Sequence, residues 1–139
     1  MAYATLTDLR AVVSEAELVR LTDDDDTGSA DEAVLTRALE DASSEIDGYV
    51  ATRHPVPLSP APAILARYCI DLAMAALYAR REMGPPEHIE SRRKSAIRFL
   101  EQVAAGRISL GAEDPAPPKA EARISSSPKI FGRGRMGGF

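Results

Sequence analysis

Residues 31–53, with the sequence DEAVLTRALEDASSEIDGYVATR, decide the fold of this chain. Apolar residues recur there every three or four positions, which places them on one stripe of an α-helix with polar side chains opposite. The stripe comprises Val34, Leu35, Ala38, Leu39, Ala42, Ile46, Tyr49 and Val50. Such a helix is about 30 Å long, the width of a small domain. We therefore expect an all-α fold, a small helical bundle around this long central helix.

Helix-start signals predict two short helices ahead of it. Thr5 and Ser14 each stand three residues before an acidic residue, the Ser/Thr-x-x-acid pattern that begins a helix. Apolar residues with helical spacing follow both positions. The predicted helices cover residues 6–12 and 15–21, and one bent helix over the same residues is the alternative.

Four prolines between residues 55 and 62 end the long helix and favour an extended, polyproline II-like strap. Two further helices are predicted, at 63–81 and 87–105. The first is apolar on nearly all sides, so it should lie centrally in the bundle or be covered by another subunit. Asp71 is the exception on it and needs a cationic partner, such as Arg67 or another arginine.

An acidic turn, TDDDDTGSAD at residues 22–31, precedes the long helix. Aligned with an EF-hand loop, Asp23, Asp25 and Gly28 would fill positions one, three and six. Val34, however, stands where the bidentate Glu is required. The sequence therefore favours a solvated acidic turn, with weak cation binding as the alternative. Either Ser29 or Asp31 is expected to cap the long helix.

Composition sets the broad class. A chain of 139 residues is one domain by the usual prior, and its hydrophobic content of 45% is ordinary for a globular protein. The single Cys69 excludes an internal disulfide and is interpreted as a small buried hydrophobe. No run of 18 apolar residues and no signal peptide is present, so we expect a protein made in the cytoplasm, without a membrane span.

The net charge of −4 conceals an asymmetry along the chain. Residues 1–53 carry a net −9, residues 54–111 a net +3 and residues 112–139 a net +2. Opposite charges favour contact between copies or with a partner. The predicted inter-subunit charge contacts are Glu40, Asp41 and Glu45 on the acidic side and Arg92, Arg93 and Lys94 on the basic side. Solvated helix faces are the alternative interpretation.

No catalytic, cofactor-binding or metal-binding residues are expected, and an enzyme is not predicted. The two histidines, one cysteine and scattered acids form no motif of converging reactive groups. His54 is expected to cap or pack. Specific DNA recognition is disfavoured because the chain is acidic overall, although contact with phosphates without sequence readout stays open.

From residue 112 onward the composition changes to that of a linker and tail. We expect residues 1–111 to form the helical domain and residues 112–139 an extended Pro/Gly/Ser-rich basic tail, disordered in a free monomer. Large apolar residues are spaced among Ser, Gly and basic side chains, which is typical of anchors for a partner's grooves. The predicted partner-binding residues are Ile124, Ile130, Phe131, Arg133, Arg135, Met136 and Phe139.

An ordered series of segments resembles the Mu-like phage proteins of the head–tail connector region. These segments are MAYATLTDLR, the acidic turn with DEAVLTRALEDASSEIDGYV, ATRHPVPLSPAP, AILARYCIDLAMAALY, VAAGRISLG and SSPKIFGRGRMGGF. The resemblance implies a helical adaptor that forms a ring, usually of twelve copies, beneath the portal. That ring extends the DNA channel and docks the tail-side neck or stopper protein, at the head–tail junction of the virion.

Two functions of other classes are kept as alternatives. One is a small helical regulatory or non-specific nucleic-acid-binding protein. The other is a weak cation-binding module built on Asp23–Asp26.

Overall fold

The computed structural model describes residues 2–82 and 84–111. It contains five α-helices in chain order: α1 Leu6–Val12, α2 Glu15–Thr22, α3 Glu32–Val50, α4 Ala63–Arg80 and α5 Glu87–Ala104. No strand occurs among the described residues, which confirms the all-α prediction. Residues 107–111 form no strand either, and Leu110 packs against the core.

The first three helices begin at side-chain caps. Thr5 accepts a hydrogen bond from the Asp8 N–H at 3.1 Å, and the Asp8 carboxylate accepts from the Thr5 N–H at 2.9 Å, a complete capping box. Ser14 caps α2 through the Glu17 N–H. Asp31 accepts from the first N–H groups of α3, so of the two predicted candidates for this cap it is Asp31 that fills the role.

Helix α4 lies at the centre of the bundle. It packs against α2, α3 and α5, while α3 also contacts α1 and α5. Its buried residues occur on nearly every side of the helix, as its apolar sequence predicted, and they are Leu65, Cys69, Ile70, Asp71, Leu72, Ala73, Met74, Ala75, Leu77 and Tyr78. The chain itself covers these residues, so their burial requires no second subunit. No helix in the described ranges is both long and apolar enough to cross a membrane.

The core is built from aliphatic side chains of all five helices. Each helix contributes at least one fully covered leucine, for example Leu9, Leu18, Leu35, Leu65 and Leu100, all 0% exposed. The predicted stripe of α3 faces this core, with Val34 and Tyr49 partly covered at its edges. Amphipathic packing of this kind supplies most of the stability of helices in proteins.

Cys69 is a buried thiol in the core, as predicted. Its sulfur lies 3.3 Å from the Ser43 hydroxyl of α3, and burial raises the pKa of the thiol. Burial outweighs the hydrogen bond with Ser43, which lowers the pKa, and favours the protonated, unreactive form.

The proline strap between α3 and α4 differs from the extended, polyproline II-like strap that the sequence predicted. It bends at residues 56–57 and 59–60, where the peptide bonds preceding Pro57 and Pro60 are cis. Tyr3 fastens it to the bundle, since its hydroxyl donates to the Asp47 carboxylate and accepts the Leu58 N–H at 3.0 Å. His54 begins the strap and is buried, in line with the predicted packing role.

Candidate interaction surfaces

The acidic residues predicted to make inter-subunit contacts lie on the outer side of α3. Glu40, Asp41 and Glu45 are all exposed. Asp41 forms an ion pair with Arg37, with 3.2 Å between Nε and Oδ1, and both side chains are more than half exposed. Surface pairs of this kind contribute little to stability. This acidic face is therefore open to solvent in the described part of the chain.

The basic residues of the same prediction lie on the outer side of α5. Arg92 and Lys94 are exposed, as is Arg98 one turn further on, and Arg93 is partly covered and lies 3.7 Å from Glu90. Among the ion pairs within 2–82 and 84–111, none joins these residues to the acidic set of α3. The structure thus places the two predicted sets on separate helices and does not bring them together, and a contact between copies stays a prediction.

Hydrogen bonds to its own backbone hold the acidic turn more firmly than the sequence suggested. The Asp23 carboxylate accepts the N–H groups of Thr27 at 2.8 Å and Gly28 at 2.7 Å, and these hydrogen bonds lower its pKa. Gly28, at φ +87°, supplies the left-handed backbone that this turn needs. Asp25 and Asp26 are exposed. In the part of the chain that the structure describes, no three His, Cys, Asp or Glu side chains are grouped as a metal site would require.

Arginines at the end of α4 clamp this turn to the bundle. Arg80 and Arg81 both bind the Asp24 carboxylate, Arg81 at 3.2 Å, and Arg80 is the main cause of the lowered pKa of Asp24. Arg80 also donates to the Leu21 carbonyl oxygen at 3.2 Å. Sequence reasoning missed these contacts, because the partners are more than fifty positions apart and follow no local pattern.

A second cluster ties α2 to α4. The Tyr78 hydroxyl donates to the Glu17 carboxylate and lies 3.1 Å from an Arg20 nitrogen. The Arg20 guanidinium also stacks on the Tyr78 ring, 5.6 Å from its centroid. Burial, followed by the hydrogen bond to Glu17, raises the pKa of Tyr78. The cluster fixes one end of α2 on the central helix and leaves its polar groups satisfied.

A groove of about 570 Å³ opens between the α1–α2 corner, α4 and α5, and we call it the Asp71 groove. Its apolar wall includes Val12, which at 69% is the most exposed large hydrophobic residue in the described ranges. The lining residues are Val12, Val13, Glu17, Arg67, Ile70, Asp71, Met74, His88, Ile89 and Arg92. This groove has no signal in the sequence beyond the isolated acid in an apolar helix.

Asp71 lies in this groove in an unusual state. It is only 7% exposed, yet it makes no hydrogen bond or ion pair with any described residue. Burial raises its pKa, and the charges of Arg67 and Arg92 on the rim offset part of that rise. The cationic partner predicted for Asp71 is therefore present only as a nearby charge, because neither arginine forms an ion pair with the carboxylate.

A shallower groove of about 400 Å³ runs between α3 and α4. Small side chains, Ala33, Ala38 and Ala76, form its floor, with Arg37 and Arg80 at its edges. It lies beside the acidic face of α3.

The predicted partner-binding residues of the tail, Ile124, Ile130, Phe131, Arg133, Arg135, Met136 and Phe139, lie outside the described residues. The predicted division into a helical domain, residues 1–111, and a tail, residues 112–139, therefore stays a prediction.

Comparison with known proteins decides the family. A family model described as "Bacteriophage Mu, Gp36" matches residues 3–127. The chain belongs to this Mu Gp36 family. Gene product J of Escherichia phage Mu is 37% identical over 142 residues, covering 99% of each chain. The Mu-like prophage FluMu protein gp36 of Haemophilus influenzae is 39% identical over 114 residues, or 80% of this chain and 79% of that relative.

Membership in the Mu Gp36 family confirms the resemblance to Mu-like phage proteins. The match to gene product J covers nearly the whole chain, and the family model continues past residue 111, so the similarity extends into the tail. The head–tail connector role stays a prediction.

Proposed function

We propose that this chain is a head–tail connector, or adaptor, protein of a Mu-like phage particle. In this proposal it forms a ring, of twelve copies as in similar connectors, beneath the portal protein at the head–tail junction. The ring extends the DNA channel and docks the tail-side neck or stopper protein. The role is structural, with no catalysis and no cofactor, and the protein is made in the bacterial cytoplasm before assembly.

The observation that carries the proposal is the separation of exposed charge on one small domain. The acidic face of α3 and the basic face of α5 form no ion pair with each other within 2–82 and 84–111. A heterologous, head-to-tail contact requires two different complementary surfaces on one subunit, and such contacts close into rings when the rotation allows it. Charge complementarity of this kind fixes the register of a contact and speeds the encounter of two subunits more than it raises their affinity.

Similarity to phage proteins over nearly the whole chain is the second support for the proposed connector role. Gene product J and the FluMu protein gp36 are phage and prophage proteins by name, and this chain shares the family pattern with both. A small protein whose charged groups are spread over helix surfaces is better suited to assembly than to chemistry.

The tail is proposed to dock a partner in the assembled particle. Its apolar anchors, with arginines between them, suit insertion into grooves of a neighbour. Deleting residues 126–139 is expected to leave the helical domain folded, since the described core ends at Val103. The same deletion is expected to abolish assembly. Loss of the cooperative circular-dichroism melt in this variant would instead show that the tail belongs to the core.

The direct test is electron microscopy of particles made without this gene. We expect filled or unfilled heads separated from tails, and normal tailed particles would refute the proposal. Complementation with variant genes then tests the basic face of α5. The Lys94→Glu variant is expected to give a reduced yield of joined particles. The Arg107→Glu variant, which changes an exposed base outside the predicted set, should restore the full yield.

One observation favours a second candidate, a small helical nucleic-acid-binding protein. Arg92, Lys94 and Arg98 are exposed on one helix and could contact phosphates without reading sequence. Fluorescence anisotropy with duplex DNA distinguishes the two proposals. Strongly salt-dependent binding by the isolated monomer would favour this candidate, and weak or no binding would favour the connector.

A further inference from the structure

Asp71 is a buried carboxylate that lacks a donor. Only 7% of the residue is exposed, and its carboxylate has no hydrogen bond to a described residue. Burial of an unpaired charge is costly, and the cost is recovered when a charged donor arrives, because charge-assisted hydrogen bonds to carboxylates are strong. The residue therefore marks the Asp71 groove as the receptor for a positively charged group.

The walls of the groove specify the rest of the ligand. Val12 is 69% exposed on the rim, and Ile70, Met74 and Ile89 form a buried apolar side. Arg67 and Arg92 occupy the rim, and Arg67 stacks over the Tyr68 ring with 5.9 Å to its centroid. A complementary ligand thus combines a large apolar side chain for this wall with a basic one for Asp71.

The chain carries such a segment in its own tail. Residues 129–135 read KIFGRGR, with adjacent Ile130 and Phe131 followed by Arg133. Glycines on both sides of Arg133 keep the backbone narrow enough for a groove. By contrast, no large hydrophobic residue is exposed on α5 in the described ranges, so α5 of another copy could satisfy Asp71 but would leave the apolar wall uncovered.

We propose that the Asp71 groove receives residues 129–135 from the tail of a second copy of this chain. Ile130 and Phe131 cover the apolar wall, and the Arg133 guanidinium donates to the Asp71 carboxylate. The inference rests on the proposed ring and names one contact that would join its neighbours.

The length of the tail lets it reach the groove of a neighbour as well as its own, so the choice of a second copy rests on the proposed ring. The tail leaves from the carboxyl end of α5, whereas the groove lies near its amino end, about 22 Å away along the helix axis. The twenty residues from Gly111 to Ile130 span up to roughly 60 Å when extended. Residues 115–118, PAPP, have the composition of a stiff spacer, which favours docking on a neighbouring copy over a return to the same domain.

Photo-cross-linking of the full chain tests this inference. Phe131 is replaced by p-benzoylphenylalanine, and isotope-labelled and unlabelled chains are mixed at a concentration at which sedimentation shows association. Mass spectrometry is expected to find cross-links between labelled and unlabelled chains, on peptides that contain Val12, Met74 or Ile89. Cross-links within one chain, cross-links to another surface, or no cross-links would each overturn the inference.

Substitutions in the groove supply the specificity control. Asp71→Asn keeps the shape and removes the charge, and it is expected to reduce the yield of these cross-links by about tenfold or more, since a hydrogen bond to a charged group is worth about 1.5–3 kcal/mol. Val12→Lys should reduce it similarly. Val56→Lys, at an exposed apolar residue outside the groove, should leave the yield unchanged. Equal yields in all four proteins would refute the assignment.

This test is separate from that of the proposed function. Heads and tails that fail to join without the gene, combined with cross-links elsewhere, would leave the connector role standing and remove only the groove contact. Normal particles without the gene would refute the connector role even if the tail bound the groove.

Discussion

Tyr3→Phe tests how the proline strap is held against the bundle. The hydroxyl of Tyr3 joins three segments, because it donates to Asp47 of α3 and accepts the Leu58 N–H of the strap at 3.0 Å. Phenylalanine keeps the ring and the backbone hydrogen bond from the Tyr3 N–H to Ser43 at 2.8 Å. The substitution therefore removes two hydrogen bonds and little else.

The expected loss follows from those two bonds. A neutral hydrogen bond contributes about 0.5–1.5 kcal/mol and one to a charged group about 1.5–3 kcal/mol, but water can reach this partly exposed site and replaces some of each. We expect a net loss of about 1–2 kcal/mol at pH 7. For a domain of this size that corresponds to a fall in Tm of roughly 5–10 °C.

The pH dependence gives a second readout with a defined sign. Burial, together with the hydrogen bond to Asp47, raises the pKa of Tyr3 from 10.0 to about 12. The native state thus holds this proton more tightly than the unfolded state, so the stabilisation is complete below pH 10 and is lost as the pH rises from 10 towards 12. The difference in unfolding free energy between wild type and Tyr3→Phe should shrink across that window.

Urea denaturation followed by circular dichroism measures both quantities. Tyr68→Phe is the matched control, because the Tyr68 ring stacks on Phe99 at 4.7 Å and its hydroxyl has no hydrogen bond among the described residues. That control should change the unfolding free energy by less than about 0.5 kcal/mol. A Tyr3→Phe protein as stable as wild type at pH 7 would show that Tyr3 does not hold the strap.

Three further substitutions test the core, the cap and the buried charge. Ile46→Ala, at a fully buried site, should destabilise the domain by about 2–5 kcal/mol in chemical denaturation. Asp31→Ala should cost about 1 kcal/mol through loss of the α3 cap, while Ser29→Ala should be nearly neutral, and equal effects would contradict the assignment of the cap. Asp71→Asn should raise the Tm at pH 7. The raised pKa of Asp71 means that wild type gains stability as the pH falls through the native pKa, so the advantage of the variant should disappear in acid.

The proposed connector role places these features in an assembly. The acidic turn, clamped by Arg80 and Arg81, and the strap, held by Tyr3, are both fastened to the bundle. Such anchoring makes the domain a rigid unit, which suits a ring whose subunits must present fixed faces to their neighbours. The unpaired carboxylate of Asp71 is the exception, and the proposed tail contact explains why it would be retained.

Local signals in the sequence were sufficient to predict the helices. Thr5, Ser14 and Asp31 cap through groups within three residues, and the three-to-four spacing in residues 31–53 identifies the face of α3 that packs inward. Both depend on contacts between near neighbours in the chain, so a reader of the sequence can find them. The family resemblance likewise rests on the order of segments and needed no structure.

Long-range packing decided the surroundings of Asp71 and the path of the proline strap. Asp71 was expected to find an arginine, but α4 and α5 pack so that Arg67 and Arg92 remain on the rim. The strap was expected to be extended and polyproline II-like, but it bends on both sides of Leu58, whose N–H donates to Tyr3, more than fifty residues earlier in the chain. Such contacts depend on how the helices are arranged in space, and neither residue type nor spacing along the chain specifies that arrangement.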